Sequence, residues 1–490
     1  MNDNKIPHPI ICALPLLTLV AMIVAVLIFV PDEALSGASQ MALLIASGVC
    51  VALSLSVGGG SWARIEASVV KTVGDTSPSI LILLLIGVMS STWMISGVVP
   101  TLIYYGVQIM SPTFFLPCAC IIAALISVMT GTSWTTIATI GVALMGVGGA
   151  LGVPMPLTAG AIISGAYFGD KMSPMSDTTV LASSIAGADL FTHIRYMMFT
   201  TVPTLVVSLL LYLGVGLFYG GEIVDSQEYI HALGGAFHIS WLTMLVPAFT
   251  AWLIYKKAPA LVTLCLSAVA ACVCAVALQP DVLAGIGGGD SALAILKGIF
   301  RTCYTSTNVD TGNEAINALI ATRGMAGMLN TVWLILCALC FGACMVASNM
   351  LKGLTDVMLK RIRSTRSLVG STVTTGVLLN LVMGDQFLSI IMNASIYKDE
   401  YASRGYPPQL LSRSTEDSAT VTSVLVPWTA CGMTQSTVLG VPTIAYLPFC
   451  FFNILSPLMS IAVAALGFVP TPKGNADSDS DPDFRDNVIT

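Results

Sequence analysis

Long apolar runs dominate this sequence and decide what it can fold into. They lie at 9–30, 41–58, 78–100, 112–130, 196–219, 236–255, 259–279, 328–349, 367–383 and 437–467. A helix of about 20 such residues crosses the hydrocarbon of a bilayer. Only 9% of the chain is charged, where soluble domains carry about 25%. Shorter apolar pieces at 135–152, 154–168, 386–397 and 419–433 are too short or too polar to cross alone, and read as broken or re-entrant segments. The expected fold class is an all-α polytopic membrane protein with about 10–13 membrane segments.

The first run follows Lys5 and outlasts the roughly 7–15 residues of a signal-peptide core, so it is read as a retained first helix. The 13 cysteines are scattered, mostly inside apolar runs. Cys337 and Cys340 form a CxxC, yet no second Cys or His pair completes a zinc site, and packing is the expected role. Four histidines without an HExxH give metallohydrolase chemistry no support, and no basic tract suggests nucleic acid. The net charge of −6 comes largely from residues 471–490, a polar, acidic tail expected to be disordered.

Lysine and arginine tend to stay on the cytoplasmic side. Arg64 and Lys71 in 59–77, Lys256 with Lys257, and the five basic residues of 352–366 are therefore placed inside. The segments 31–40 and 221–231 hold acids and no base, and are placed outside, which gives a cytoplasmic N-terminus. On that topology the helices 78–100 and 328–349 run in opposite directions. Each is followed by a partly polar connector and an apolar helix, ending in Gly131-Thr132-Ser133-Trp134 or Gly384-Asp385-Gln386-Phe387, 253 residues apart. Asp170-x2-Ser173-x2-Ser176 then recurs as Asp417-x2-Thr420-x2-Ser423 at an offset of 247, read as a six-residue deletion. Inverted repeats with interrupted helices at matching positions mark secondary transporters, which bind substrate and coupling ion at the breaks. The expected organisation is peripheral helices at 1–74, a first repeat at 75–220, linking helices and a loop at 221–325, a second repeat at 326–468, and a tail at 469–490.

Carboxylates inside a membrane are costly and mark function. Asp170, Asp177, Asp385, Glu416 and Asp417 each sit in a short polar window among Ser, Thr, Asn and Gln, an oxygen-only donor set that suits hard cations. Thr132, Ser133, Ser173, Gln386, Thr420 and Ser423 complete the candidate ion-binding and proton-coupling set. Asp170 and Asp417 are expected to hold the metal ion, Na+. Pro174, Gly131 and Gly384 are the expected helix breaks, since proline removes a donor and glycine permits tight backbone. On a straight helix Asp170 and Asp177 stand about 10 Å apart; a break at Pro174 frees carbonyls and brings them closer. A carboxylate must lose its proton to hold a metal ion. Proton and Na+ then compete, and a site loaded alternately from each side exchanges them with no catalytic group and no cofactor. Two readings of Lys171 stand, a counter-ion for Asp170 or a snorkelling interfacial residue. Asp189 and His193-Ile194-Arg195 are expected to be an interfacial anchor. The stretch 281–327, with Asp310, Glu314 and Arg323, is expected to be a loop. Thr132 and Ser133 also suit helix caps.

The blocks GTSWTTIATIGVALMGVG (131–148), GAIISGAYFGDKMSPMSDTTVLAS (160–183), LVMGDQF (381–387) and RSTEDSATVTSVLVPWTACG (413–432) resemble the NhaC family of sodium/proton antiporters, within the ion-transporter superfamily. The likeness spans roughly 75–465. It implies exchange of Na+, or Li+, for H+ across a bacterial inner membrane. It also implies a scaffold with a mobile transport domain, an elevator-like motion and a homodimer in the lipid bilayer. Some members that resemble this chain exchange organic acids, malate against lactate, so a coupled carrier of a small organic anion or amino acid is the alternative, with Lys171 and Arg413 as its available cations. A third class, an intramembrane aspartyl protease, needs two facing aspartates sharing a proton. Tyr167-x2-Asp170 and Gly384-Asp385 echo it, but Val382 stands where a glycine is required and Pro259-Ala260-Leu261 precedes the second aspartate.

Overall fold

The computed structural model describes residues 6–30, 37–57, 61–219, 226–360 and 362–468. The acidic tail and residues 31–36 and 221–225 lie outside the described residues. The first half contains α1 (Pro9–Phe29), α2 (Ser39–Val57), α3 (Trp62–Ile95), α4 (Val98–Ile109), α5 (Pro112–Thr130), α6 (Ser133–Ala150), α7 (Met155–Met172), α8 (Asp177–Ala186) and α9 (Leu190–Tyr219). A linking region follows with α10 (Ser226–Ala236), α11 (Leu245–Tyr255), α12 (Ala260–Leu278), α13 (Pro280–Gly287), α14 (Ala292–Tyr304) and α15 (Glu314–Ile320). The second half contains α16 (Leu329–Ala347), α17 (Met350–Leu359), α18 (Thr365–Met383), α19 (Gln386–Ser403), α20 (Pro408–Thr415), α21 (Ala430–Leu439) and α22 (Phe451–Ala465). Among the described residues, eight helices are long and apolar enough to cross a membrane, or up to eleven if each bent pair is one span. The chain is an all-α, multi-pass membrane protein with interrupted helices.

Offset by 253 residues, the elements of the two halves coincide. α5 falls on α18, α6 on α19, and α8 on α21, end for end. α7 falls on α20 together with the π-turn Glu416–Thr420 and the short turn Ser423–Leu425. The caps coincide as well: Pro154 with Pro407, Ser176 with Thr429, Gly131 with Gly384, and Gly187 with Gly440. The six-residue deletion is therefore corrected. In the structural register Asp170 corresponds to Ser423, and Asp417 to Ser164. The echo between Asp170-x2-Ser-x2-Ser and Asp417-x2-Thr-x2-Ser is a likeness of composition between two helix ends, not of position.

Three further expectations change. The segment 59–77 is no loop: α3 runs unbroken for 34 residues through Pro78, carrying Arg64 and Lys71 on its first turns. The stretch 281–327 is largely helical, with α13 and α14 bent by 82° at Gly288–Ser291. Glycine and hydroxyl content there marks the bend and the caps. The run 437–467 does not cross as one helix, because Gly440 and Pro442 end α21 and a second bend of 56° precedes α22.

Small residues let the inner helices touch. Gly165 and Gly169 face α5 so closely that a Cβ would lie 2.0 Å from Cys120 O or 2.3 Å from Ala124 O. Such backbone approach is how membrane helices gain packing where lipid removes the hydrophobic drive. The burial gradient agrees. α6 is 78% buried, while the apolar windows of α1 and α9 are only 28% buried and expose Ile10, Leu17, Leu210 and Phe218.

Candidate functional site

Asp170 lies in the last turn of α7, before an interruption at 173–176. Its Oδ2 accepts from the Ser133 backbone N–H at 3.0 Å and from Ser133 Oγ at 2.7 Å; its Oδ1 accepts from Ser176 Oγ at 2.6 Å. The carboxylate thus sits at the N-terminus of α6, where free N–H groups and the helix dipole favour negative charge. Local sequence explains the arrangement. Gly131 ends α5 at φ 71°, and Thr132 is extended, so α6 restarts at Ser133 in a new direction. A Cβ at Gly131 would meet the Met175 backbone at 2.8 Å, which is why the two interruptions can touch.

A cavity of about 580 Å³ opens on this carboxylate. Thr130, Thr132, Thr135, Asp177, Thr178 and Gln386 line it, with Lys257 at its edge. The structure brings Asp170, Asp177, Thr132 and Pro174 to one cavity, with Asp177 exposed as the first residue of α8. Thr132 occupies the cap position without a side-chain cap bond, and Ser133 spends its hydroxyl on Asp170. Ser173 instead accepts from Met175 N, holding the turn. Asp385 is buried and caps α19 through Leu388 N at 3.0 Å, outside the cavity lining. Asp170 and Asp385 are each bound at a different helix N-terminus and not to one another, so they do not form a proton-sharing dyad.

The remaining candidates form a second, fully buried cluster. Lys171 pairs with Asp417, and neither is accessible. Both readings of Lys171 are therefore corrected: its ion-pair partner is Asp417, and it is fully buried. Thr200 Oγ1 of α9 lies 3.1 Å from Asp417 Oδ1, and Arg413 Nε 3.9 Å from Asp417 Oδ2. The Arg413 guanidinium stacks on Tyr196 at 4.7 Å. Asp417 Oδ1 is thus paired with Lys171 and Thr200, while its Oδ2 has no hydrogen-bond partner. His193 is buried as well, 2.7 Å through Nδ1 from Ser412 Oγ, so it joins this cluster and is not an anchor. Asp189 remains at the surface, where the Thr192 N–H and hydroxyl hold its carboxyl below the usual range.

The π-turn at Glu416–Thr420 explains a set of amides, of which sequence reasoning missed Asn380 and Asn453. A π-turn disrupts the regular ladder and leaves carbonyls to be satisfied from elsewhere. Asn380 of α18 donates to Ala419 O at 2.8 Å, Gln386 of α19 to Thr420 O at 2.9 Å, and Asn453 of α22 to Val421 O at 2.8 Å. Gln386, singled out as an ion ligand, lines the cavity at Asp170 and also clamps this turn through its amide N–H. Thr420 gives its carbonyl to the clamp, and Ser423 Oγ also bonds that carbonyl at 2.7 Å. The signal for Thr200 was present in the sequence: Thr200, Thr204 and Ser208 recur every fourth residue through an apolar helix, all buried.

A second cavity of about 220 Å³ touches α3 at Gly87–Met94 and holds Ser90, Ser91, Arg323 and Thr437; the larger one touches α3 at Pro78–Ile82. Between them Leu83 packs with Met328, Ile335, Leu339 and Ala430 in an apolar layer that Trp134 and Leu388 flank.

Residues 165–468 match the model of the Na+/H+ antiporter family. The chain is 35% identical to the Na(+)/H(+) antiporter NhaC of Alkalihalophilus pseudofirmus over 83% of its own length and 86% of that protein. It is 35% identical to the Na(+)/H(+) antiporter NhaC of Bacillus subtilis, covering 84% and 88% of the two chains. It is 34% identical to the malate-2H(+)/Na(+)-lactate antiporter of Bacillus subtilis, covering 89% and 91%.

Proposed function

Because the chain belongs to the Na+/H+ antiporter family, we propose that it exchanges Na+ for H+ across a bacterial inner membrane by alternating access, with Asp170 as the Na+-binding carboxylate. The observation that carries this is the Asp170 carboxylate itself: one buried acid, three hydroxyl and amide donors, and a polar cavity of about 580 Å³ beside it. Arriving Na+ takes the place of the hydroxyl protons. Ser133 and Ser176 need only rotate their O–H bonds to present oxygen to the ion. Thr132 and Thr135 offer further oxygens from the cavity wall, in keeping with the preference of hard cations for oxygen.

Two cavities on either side of the Leu83 layer support alternating access, since the ion then has one apolar barrier to cross. The larger cavity reaches the Lys257 loop, read as cytoplasmic from its two lysines. On that reading the conformation is open inward, the N-terminus is cytoplasmic, and the two halves run in opposite directions. An elevator-like displacement and a homodimer follow from family likeness.

Everted vesicles with a preformed proton gradient test the reading. Added Na+ collapses the gradient with the wild-type chain and leaves it intact with Asp170→Asn. Retained Na+-driven proton movement in Asp170→Asn overturns it. The second reading, exchange of a small organic acid, rests on the malate/lactate relative and on a cavity far larger than one ion requires. Its expected cations, Lys171 and Arg413, are buried in the Asp417 cluster, leaving Lys257 and Arg323 at the cavities. Uptake of radiolabelled malate or lactate into proteoliposomes decides between the two.

A further inference from the structure

Glu416 is the buried acid for which the geometry leaves a task. It is wholly inaccessible, at the start of the π-turn, and the Thr420 hydroxyl one turn along is the donor that bears on its carboxylate. Its neighbour Asp417 is paired through Oδ1 with Lys171 and Thr200, with Arg413 3.9 Å from its Oδ2. The charged groups that bear on Glu416 are Lys171 and Asp170 from α7 and Asp417 from its own turn, with Thr420 one turn along. Arg413 lies on the preceding turn, while His193 and Tyr196 of α9 surround Arg413 and Asp417 and not Glu416. α18, α19 and α22 meet the segment from Thr415 to Thr422 with the amides of Asn380, Asn393 and Asn453. α8 contributes Asp177 at the cavity edge.

Charge balance ties this group to the ion site. Asp170, Lys171, Arg413 and Asp417 together carry no net charge when ionised. An ionised Glu416 leaves the region one negative charge in excess, with the Thr420 hydroxyl alone beside it, which a low-dielectric interior penalises. Na+ on Asp170 supplies the missing positive charge. The region is neutral with Glu416 protonated and the Na+ site empty, with Glu416 ionised and Na+ on Asp170, or with the proton on Asp170 itself; the three donors on Asp170 hold that carboxylate ionised and leave the proton to Glu416.

We propose that Glu416 carries the transported proton while Asp170 carries the Na+, the two ions occupying different carboxylates and excluding each other through charge. This rests on Asp170 as the Na+ site. Na+ entering at Asp170 expels the Glu416 proton, and a proton arriving at Glu416 expels Na+. No bond other than the O–H of Glu416 is made or broken.

The test uses purified protein in liposomes and the variants Glu416→Gln, Glu416→Asp and Asp170→Asn. Glutamine imitates the protonated acid permanently. Glu416→Gln is expected to lose Na+-driven proton release, to show a weak Na+ affinity that no longer changes with pH, and to retain Na+/Na+ exchange at high Na+. Glu416→Asp is expected to restore proton coupling, which a merely structural role at this position does not require. Wild-type proton release by Glu416→Gln overturns the proposal, as does loss of Na+/Na+ exchange in a variant that elutes as a monodisperse protein. Na+ binding that survives Asp170→Asn overturns the Na+ site itself, a failure distinct from that of Glu416.

Discussion

Single side chains in this protein do separate work although they are close in sequence. Asp170 and Lys171 are adjacent, yet one faces a cavity and the other a buried acid on the opposite half of the chain. Removing Lys171 strands Asp417 in a buried site, which costs about 3–5 kcal/mol when one partner of a buried pair is lost. Lys171→Met is therefore expected to lower the melting temperature sharply in a fluorescence-detected size-exclusion assay. Lys171→Met combined with Asp417→Leu is expected to recover only part of that loss, because Arg413 then loses its carboxylate partner. Ser133→Ala deletes one hydroxyl from Asp170 but keeps the backbone donor. Its expected effect is a raised KM for Na+ with the fold intact, measured in everted vesicles. The carboxylates were legible in the sequence because a charge in an apolar run has few reasons to persist. Their pairing was not, since Lys171 and Asp417 are 246 residues apart and no spacing rule joins them.

At the scale of elements, interruption and close approach go together. α5 and α7 meet at Gly165 and Gly169, where no side chain fits. Gly169→Val is expected to force these helices apart, at a cost of about 1–3 kcal/mol for overpacking, seen as reduced thermal stability and reduced transport. The π-turn depends on amides from three other helices. Asn453→Leu leaves the Val421 carbonyl without its donor, and an unsatisfied buried group costs about 1–3 kcal/mol. A lower melting temperature, larger than that of Asn453→Gln, is the expected outcome. Helix ends were largely readable, because Gly131, Gly384 and Pro174 declare themselves chemically. The repeat register was readable from those ends and misread from the acids. Backbone caps are tied to the turn they close, whereas acids in the two halves have diverged to different tasks.

For the whole molecule, the two cavities and the apolar layer between them set an expectation for access. Cysteine introduced at Ser79, in the larger cavity, is expected to react with a membrane-impermeant maleimide from one side of the membrane. Cysteine at Ser91, in the smaller cavity, is expected to react from the other. Labelling of both from the same side sinks the two-sided arrangement. Replacing Leu83, fully buried in the layer, with serine is expected to weaken the barrier; the readout is an Na+ leak uncoupled from proton movement.

The sequence by itself determined the membrane-spanning helical class, the interruptions, and which acids to watch. Those properties follow from local composition: hydropathy sets where a helix can cross, and glycine and proline set where it must stop. Only the tertiary structure decided which acid is free. Asp417 is paired with Lys171, Glu416 is buried with the Thr420 hydroxyl beside it, and Asp170 faces the cavity. Those differences arise from contacts between distant segments in a low-dielectric interior, where a partner a few ångströms away outweighs any property of the residue alone.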